Sequence, residues 1–223
     1  MTVFLTRYQL NPARRGTVRL VASPQRMHAA VLASFPPPGG QEHQRVLWRL
    51  DEPSRYERNL YMVSPKAPSM EHLDEQAGWE QHPGGQSREY GPFLERLGTG
   101  QRWVFRLTGN PVRSVAAGPG QRGKVVPHVT ARQQLTWLLE RAERHGFSLG
   151  DPEDPTVQVT RRDRNAFDKS EASGPRRRAT ITRAQFDGIL TVQDPDLLRE
   201  ALTQGIGRAK AYGCGLLTLA PAQ

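Results

Sequence analysis

The chain has 223 residues, 36% of them hydrophobic, and carries 31 Lys and Arg against 22 Asp and Glu, a formal charge of +9 at pH 7. That length can hold two cores of about 100 residues each, and the surplus of cations favours a polyanionic partner, nucleic acid before an acidic membrane. The one cysteine, Cys214, excludes a disulfide framework; with no signal-peptide pattern in residues 1–10 and no apolar run near the ~20 residues of a membrane span, a soluble cytoplasmic protein without membrane contact is expected.

Residues 2–8 alternate as a strand, with Val3 and Leu5 on one face and Phe4 and Tyr8 on the other. Ser23-Pro24 opens a helix, Ser as N-cap and Pro in its first turn, with Met27, Ala30, Val31, Ser34 and Phe35 along one face. Pro36-Pro37-Pro38-Gly39-Gly40 ends it. Residues 45–50 and 60–63 read as strands, Ser69 as the cap of a short helix reaching Ala77, and residues 80–92 as loop or linker. A second round begins at Gln101, where Trp103, Phe105 and Leu107 face one way, and residues 118–124 form a turn. Thr130-x-x-Gln133 is a capping box. The helix behind it places Leu135, Leu138, Leu139 and Ala142 at core spacing and stops at Gly146. Residues 156–160 and 179–192 read as strands, Asp194-Pro195 starts a helix that ends at Gly205, and residues 216–219 close the sheet. The second round has the order β-α-β-β-α-β, which is ferredoxin-like. The expected fold is therefore α+β, two tandem ferredoxin-like (RRM-like) βαββαβ domains over residues 1–100 and 101–223. No RNP aromatic signature appears, so RNA recognition by base stacking on a sheet is not expected.

Three stretches could carry chemistry. In residues 205–215, Gly205, Gly207, Gly213 and Gly215 flank Arg208 and Lys210. Bare N–H groups beside cations suit an anion, though the same spacing also serves a plain connection between helix and strand. The third glycine of a dinucleotide fingerprint is replaced by Lys210, and no Gly-Lys-Ser/Thr occurs, so neither nucleotide motif applies. Between residues 161 and 178 the cations Arg161, Arg162, Arg164, Lys169, Arg176, Arg177 and Arg178 outnumber Asp163, Asp168 and Glu171. They lie on a hairpin, or on a loop with a short helix, able to enter the groove of an RNA stem or ride its phosphates. The third stretch is the helix opened by Ser23-Pro24. His28 sits at the edge of its apolar stripe with Arg26 beside it, and an imidazole there can serve proton transfer or simply fill a helix border. No histidines pair at i, i+4 and no acidic cluster suggests a metal nuclease. Arg14, Arg15 and Arg19 precede that helix and could guide a strand toward His28.

Gly205-Ile206-Gly207, five residues, then Gly213-Cys214-Gly215-Leu216-Leu217 resembles the C-terminal glycine-rich loop of CRISPR repeat-processing endoribonucleases, nearest the type I-E CasE (Cse-type) subunit of the Cascade complex. Phe105-Arg106-Leu107, Asn110-Pro111-Val112, the run from Phe186 to Val192 and Leu219-Ala220-Pro221 stand in that family's order, strongly over residues 101–223 and more weakly before. Gln25-Arg26-Met27-His28 followed by Phe35-Pro36 is similar to the family's catalytic-histidine helix, with Gln25 where the family often has tyrosine. The resemblance implies cleavage of CRISPR precursor RNA at the base of the repeat stem-loop, without metal or cofactor. It also implies retention of the crRNA and assembly with other Cascade subunits, from a chain that is monomeric when isolated. Without the resemblance, the same residues also fit a non-catalytic RNA-binding module or a double-stranded DNA scaffold.

Overall fold

The computed structural model describes residues 2–36, 45–81, 83–116, 118, 123–169 and 177–222, with backbone alone at 167–169 and 177–179. The chain divides into two compact units. The first comprises Met1–Arg96, Thr203–Gly205 and Lys210–Leu216; the second comprises Leu97–Leu202, Ile206–Ala209 and Leu217–Gln223.

The first unit runs β1 (Phe4–Leu10), α1 (Arg15–Val21), α2 (Pro24–Ala33), β2 (Leu47–Ser54), β3 (Glu57–Ser64), α3 (Glu71–Ala77), β4 (Gln86–Glu89) and α4 (Gly91–Glu95). Its sheet has the order β2-β3-β1-β4 with every neighbour antiparallel, the ferredoxin-like arrangement. Tyr8, Leu10, Met27, Val31, Trp48 and Leu60 are among the side chains that fill the core under the helices. Burying each apolar side chain of that size stabilises by roughly 1.5–3 kcal/mol. Several elements differ from expectation: α4 was not foreseen, and α3 is capped at Met70 without a side-chain bond rather than by Ser69. The segment read as linker holds β4, which pairs with β1 from Phe4↔Glu89 to Arg7↔Gln86. All four of its side chains are exposed, so an edge strand that buries nothing left no alternation to read. Helix α1 was also unforeseen. Its N-cap, Arg14, makes no side-chain capping bond, and Thr17 and Leu20 are its buried residues. Gly16 is required there, because a Cβ would stand 1.9 Å from the Gln76 carbonyl oxygen.

The second unit runs β5 (Arg102–Gly109), β6 (Val112–Val115), β7 (Lys124–Pro127), α5 (Ala131–Ala142), β8 (Phe147–Ser148), β9 (Gly150–Asp151), β10 (Asp154–Pro155), β11 (Val157–Lys169), β12 (Arg177–Val192), α6 (Pro195–Gln204) and β13 (Leu217–Pro221). Its main sheet has the order β11-β12-β5-β13, strand for strand the order of the first unit. The Thr130–Gln133 capping box is present, and Asp194 accepts from the amides of Asp196 and Leu197 at the start of α6. Helix α5 buries Gln134, Trp137, Leu138 and Ala142, whereas Leu135 and Leu139 are half-buried. The helix turns toward Trp137, whose ring stacks on Phe186 with centroids 6.1 Å apart.

Candidate active site and basic hairpin

Ser23 caps α2 by accepting from the Arg26 amide, and Pro24 occupies the first turn, so the helix begins where the sequence indicates. With Met27, Ala30 and Val31 buried, His28 falls at the helix border and is half-buried, while Arg26 is exposed. Trp48 on β2 reaches the same border. Its Nε1–H donates to His28 Nδ1 at 3.3 Å. Burial of the ring pushes the His28 pKa below its ordinary value, because an imidazolium loses hydration there.

Strand β2 is the edge of its sheet, and Lys210–Gly213 of the glycine-rich stretch pack against it. The 3₁₀ turn Lys210–Tyr212 packs against both α2 and β2. Lys210 is half-buried, and its amine is pushed below the ordinary lysine value by burial first and by nearby Arg45 second. Gly213 has φ +78, and a Cβ on it would stand 2.7 Å from Trp48 Cζ3, so only glycine lets the backbone lie against the indole. On the opposite face of β2, a Cβ at Gly205 would stand 2.9 Å from both the Gly215 carbonyl oxygen and a Leu47 methyl. Arg49 shares that face and is 2% exposed. It donates from Nε and Nη2 to the two Asp51 oxygens, at 2.6 and 2.9 Å, and from Nη1 to the Leu216 carbonyl oxygen.

The glycines of this stretch therefore differ in surroundings. Gly205, Gly213 and Gly215 are buried, whereas Gly207 and Arg208, which belong to the second unit, are exposed. Of the residues singled out in the sequence, His28, Arg26, Lys210, Gly205, Gly213 and Gly215 all belong to the first unit. Sequence reasoning missed Trp48 and Arg49. A signal for the second was present, since Arg49 and Asp51 stand two apart in an apolar strand and so share a face.

In the second unit the described residues of the basic segment lie on two paired antiparallel strands. Strands β11 and β12 pair from Val157↔Gly188 out to Lys169↔Arg177, with an irregularity between Val159 and Arg161. Arg161, Arg162 and Arg164 are exposed on β11. Asp163 is held across the hairpin by Arg183, Nε to Oδ1 at 2.8 Å. Lys169, Arg177 and Arg178 have backbone positions near the hairpin's end, and Arg176 lies outside the described residues. Further along, Asp187 is burdened by burial, but hydrogen bonds from Arg106, Thr160 and Gln185 outweigh it and hold the carboxyl below its ordinary value. Among the described residues no three His, Cys, Asp or Glu side chains gather as metal ligands, and no helix is long and apolar enough to cross a membrane.

The family model described as CRISPR associated protein matches residues 3–221. A curated relative from Thermus thermophilus, CRISPR-associated endoribonuclease Cse3, is 33% identical over 227 residues, covering 98% of this chain and 100% of that one. The CRISPR system Cascade subunit CasE of Escherichia coli is 30% identical over 137 residues, 56% of this chain and 61% of its own. Among solved structures, CRISPR endoribonuclease Cse3 bound to 19 nt RNA superimposes with a TM-score of 0.78 at 29% identity, covering 99% of this chain and 100% of that one. Thermus thermophilus Cse3 bound to an RNA representing a pre-cleavage complex gives a TM-score of 0.78 at 30% identity, with coverage of 99% and 100%.

Proposed function

The chain belongs to the CRISPR associated protein family, and from that premise we propose that it is an endoribonuclease that cuts CRISPR precursor RNA at the base of the repeat stem-loop. It keeps the processed crRNA and assembles with other Cascade subunits. The observation that carries this reading is the half-buried imidazole of His28, held by Trp48 at the border of α2 and beside the turn that bears Lys210.

The chemistry follows from what RNA itself supplies. A base takes the proton of a 2′-hydroxyl, the oxygen attacks the neighbouring phosphorus, and the 5′-oxygen leaves and acquires a proton. The products are a 2′,3′-cyclic phosphate and a 5′-hydroxyl. His28 acts at the scissile phosphodiester, and the exposed Arg26 guanidinium offsets charge that builds on its oxygens. No metal is assigned a role in this scheme. The hairpin cations Arg161, Arg162, Arg164, Lys169, Arg176, Arg177 and Arg178 hold the stem through its phosphates. From the glycine-rich stretch, Gly207, Arg208 and Lys210 are offered to RNA, while Gly205, Gly213 and Gly215 act through the shape they give it.

Labelled repeat RNA incubated with the protein in EDTA tests this. One cut at the base of the stem is expected, and none in an RNA with a 2′-deoxy ribose 5′ to the scissile phosphate. Intact wild-type RNA in EDTA with cutting restored by a divalent cation, or cutting of the deoxy RNA, contradicts the proposed chemistry.

A further inference from the structure

Trp48 is 2% exposed, and its indole N–H is a donor only, so it needs an acceptor inside the protein. His28 Nδ1 is that acceptor, at 3.3 Å. An acceptor nitrogen carries a lone pair, so the neutral ring bears its proton on Nε2. The other tautomer, or the imidazolium, sets N–H against N–H and leaves a buried donor unpaired. The indole is fixed in place. Its strand pairs with β3 at Trp48↔Met62, its ring lies in the core with Met27, and the Gly213 backbone backs it.

We propose that Trp48 is a positioning residue that holds His28 as the Nε2–H tautomer, so that the imidazole meets the scissile phosphodiester as an N–H donor and the 2′-hydroxyl yields its proton to solvent water or hydroxide. This rests on His28 acting in cleavage. The titratable groups on the elements around α2 are few. Helix α1 brings Arg15 and Arg19, and the turn Lys210–Tyr212 brings an amine and a phenol. On β2, Arg49 is paired with Asp51. From α3, which also carries Glu71, Asp74 and Glu75, His72 donates to the Ala30 carbonyl oxygen at 2.8 Å. Burial alone lowers the His28 pKa. The consequence is that His28 cannot serve as the base through Nε2 while the indole bond stands. Its Nε2–H donates a hydrogen bond to the O5′ that gains charge as the P–O5′ bond breaks, O5′ takes its proton from solvent water, and His28 ends the step as neutral as it began.

Nitrogen-15 NMR of the imidazoles in the full chain reads the tautomer directly, with the His28 signals assigned by their loss in His28→Ala. In wild type near neutral pH, an unprotonated Nδ1 and a protonated Nε2 are expected. In Trp48→Phe, which keeps an aromatic ring and drops the N–H, the His28 titration moves up toward its ordinary value. RNA cleavage then slows by about 10- to 100-fold while RNA affinity holds. A protonated Nδ1 in wild type, an unmoved titration in Trp48→Phe, or wild-type cleavage by that variant overturns the proposal. Should Trp48→Phe fail to fold, the wild-type tautomer decides alone. Failure of the catalytic reading is separate, since it appears as undiminished cleavage by His28→Ala, whatever the tautomer proves to be.

Discussion

Arg49 Nη1 donates to the carbonyl oxygen of Leu216 at 3.0 Å, joining residues 167 positions apart in sequence. The same guanidinium grips Asp51 with its other nitrogens, and the two side chains are only 2% and 7% exposed. Removing one partner strands a buried charge, which costs more than an intact pair contributes. Asp51→Ala is expected to lose about 3–5 kcal/mol of stability in urea unfolding. Asp51→Leu combined with Arg49→Met is expected to recover much of that loss, because both charges then vanish together. A double variant no more stable than the single one refutes the pairing.

Gly213→Ala imposes two penalties. At φ +78 an L side chain is strained by roughly 1–2 kcal/mol, and the new methyl meets the Trp48 ring. Gly100→Ala, at φ +82 with nothing near its Cβ, carries only the first. Gly213→Ala is therefore expected to be the less stable of the two and to cleave RNA more slowly, while Gly100→Ala cleaves normally. Equal effects in thermal unfolding and cleavage assays count against a supporting role for this backbone.

The hairpin makes a prediction about salt. Arg162 and Arg164 are exposed on β11. Converting both to alanine is expected to flatten the slope of log affinity against log salt by about 1–2 units, since each phosphate contact releases roughly one counterion. Neutralising Arg176, Arg177 and Arg178 is expected to act in the same direction. An unchanged slope in a filter-binding titration removes these cations from the RNA interface.

Stability should fall on the acid side, and the sign is fixed by two groups. His28 has a native pKa below its ordinary 6.5, so below that pH the unfolded chain binds more protons than the folded one. Asp187 is depressed below its ordinary 3.8 and acts alike at lower pH. The His28 contribution is thus complete above pH 6.5 and is lost as pH falls toward the native His28 value. In His28→Ala this first decline is expected to be shallower. Denaturation midpoints measured between pH 7 and pH 5 check it, and identical slopes in the two proteins refute it.

Much of this architecture was legible because it is written in periodicity and caps. The Ser23, Thr130 and Asp194 caps, the Gly146 stop and the strand that carries Phe186 all stand where their residue types indicate. Strand β4 was not legible, because Gln86, Ser87, Arg88 and Glu89 are all exposed and leave no apolar alternation, although the Ser87 hydroxyl accepts from Thr6 on β1. His28 and Arg26 could be singled out from helix geometry and resemblance. Trp48 could not be joined to His28, because a hydrogen bond between a helix border and an edge strand depends on how the two elements pack. The glycine-rich stretch showed its density but not its division. Which glycines are covered by Leu47 and Trp48, and which remain exposed, is set by contacts far away in sequence.

Single-turnover cleavage of repeat RNA by His28→Ala beside wild type, with RNA affinity measured on both, bears most directly on the catalytic assignment. Cleavage is expected to fall by roughly 10²–10³-fold, the usual contribution of a positioned donor to a developing oxyanion, while affinity stays the same. Wild-type cleavage rates from His28→Ala would place the chemistry elsewhere in the molecule.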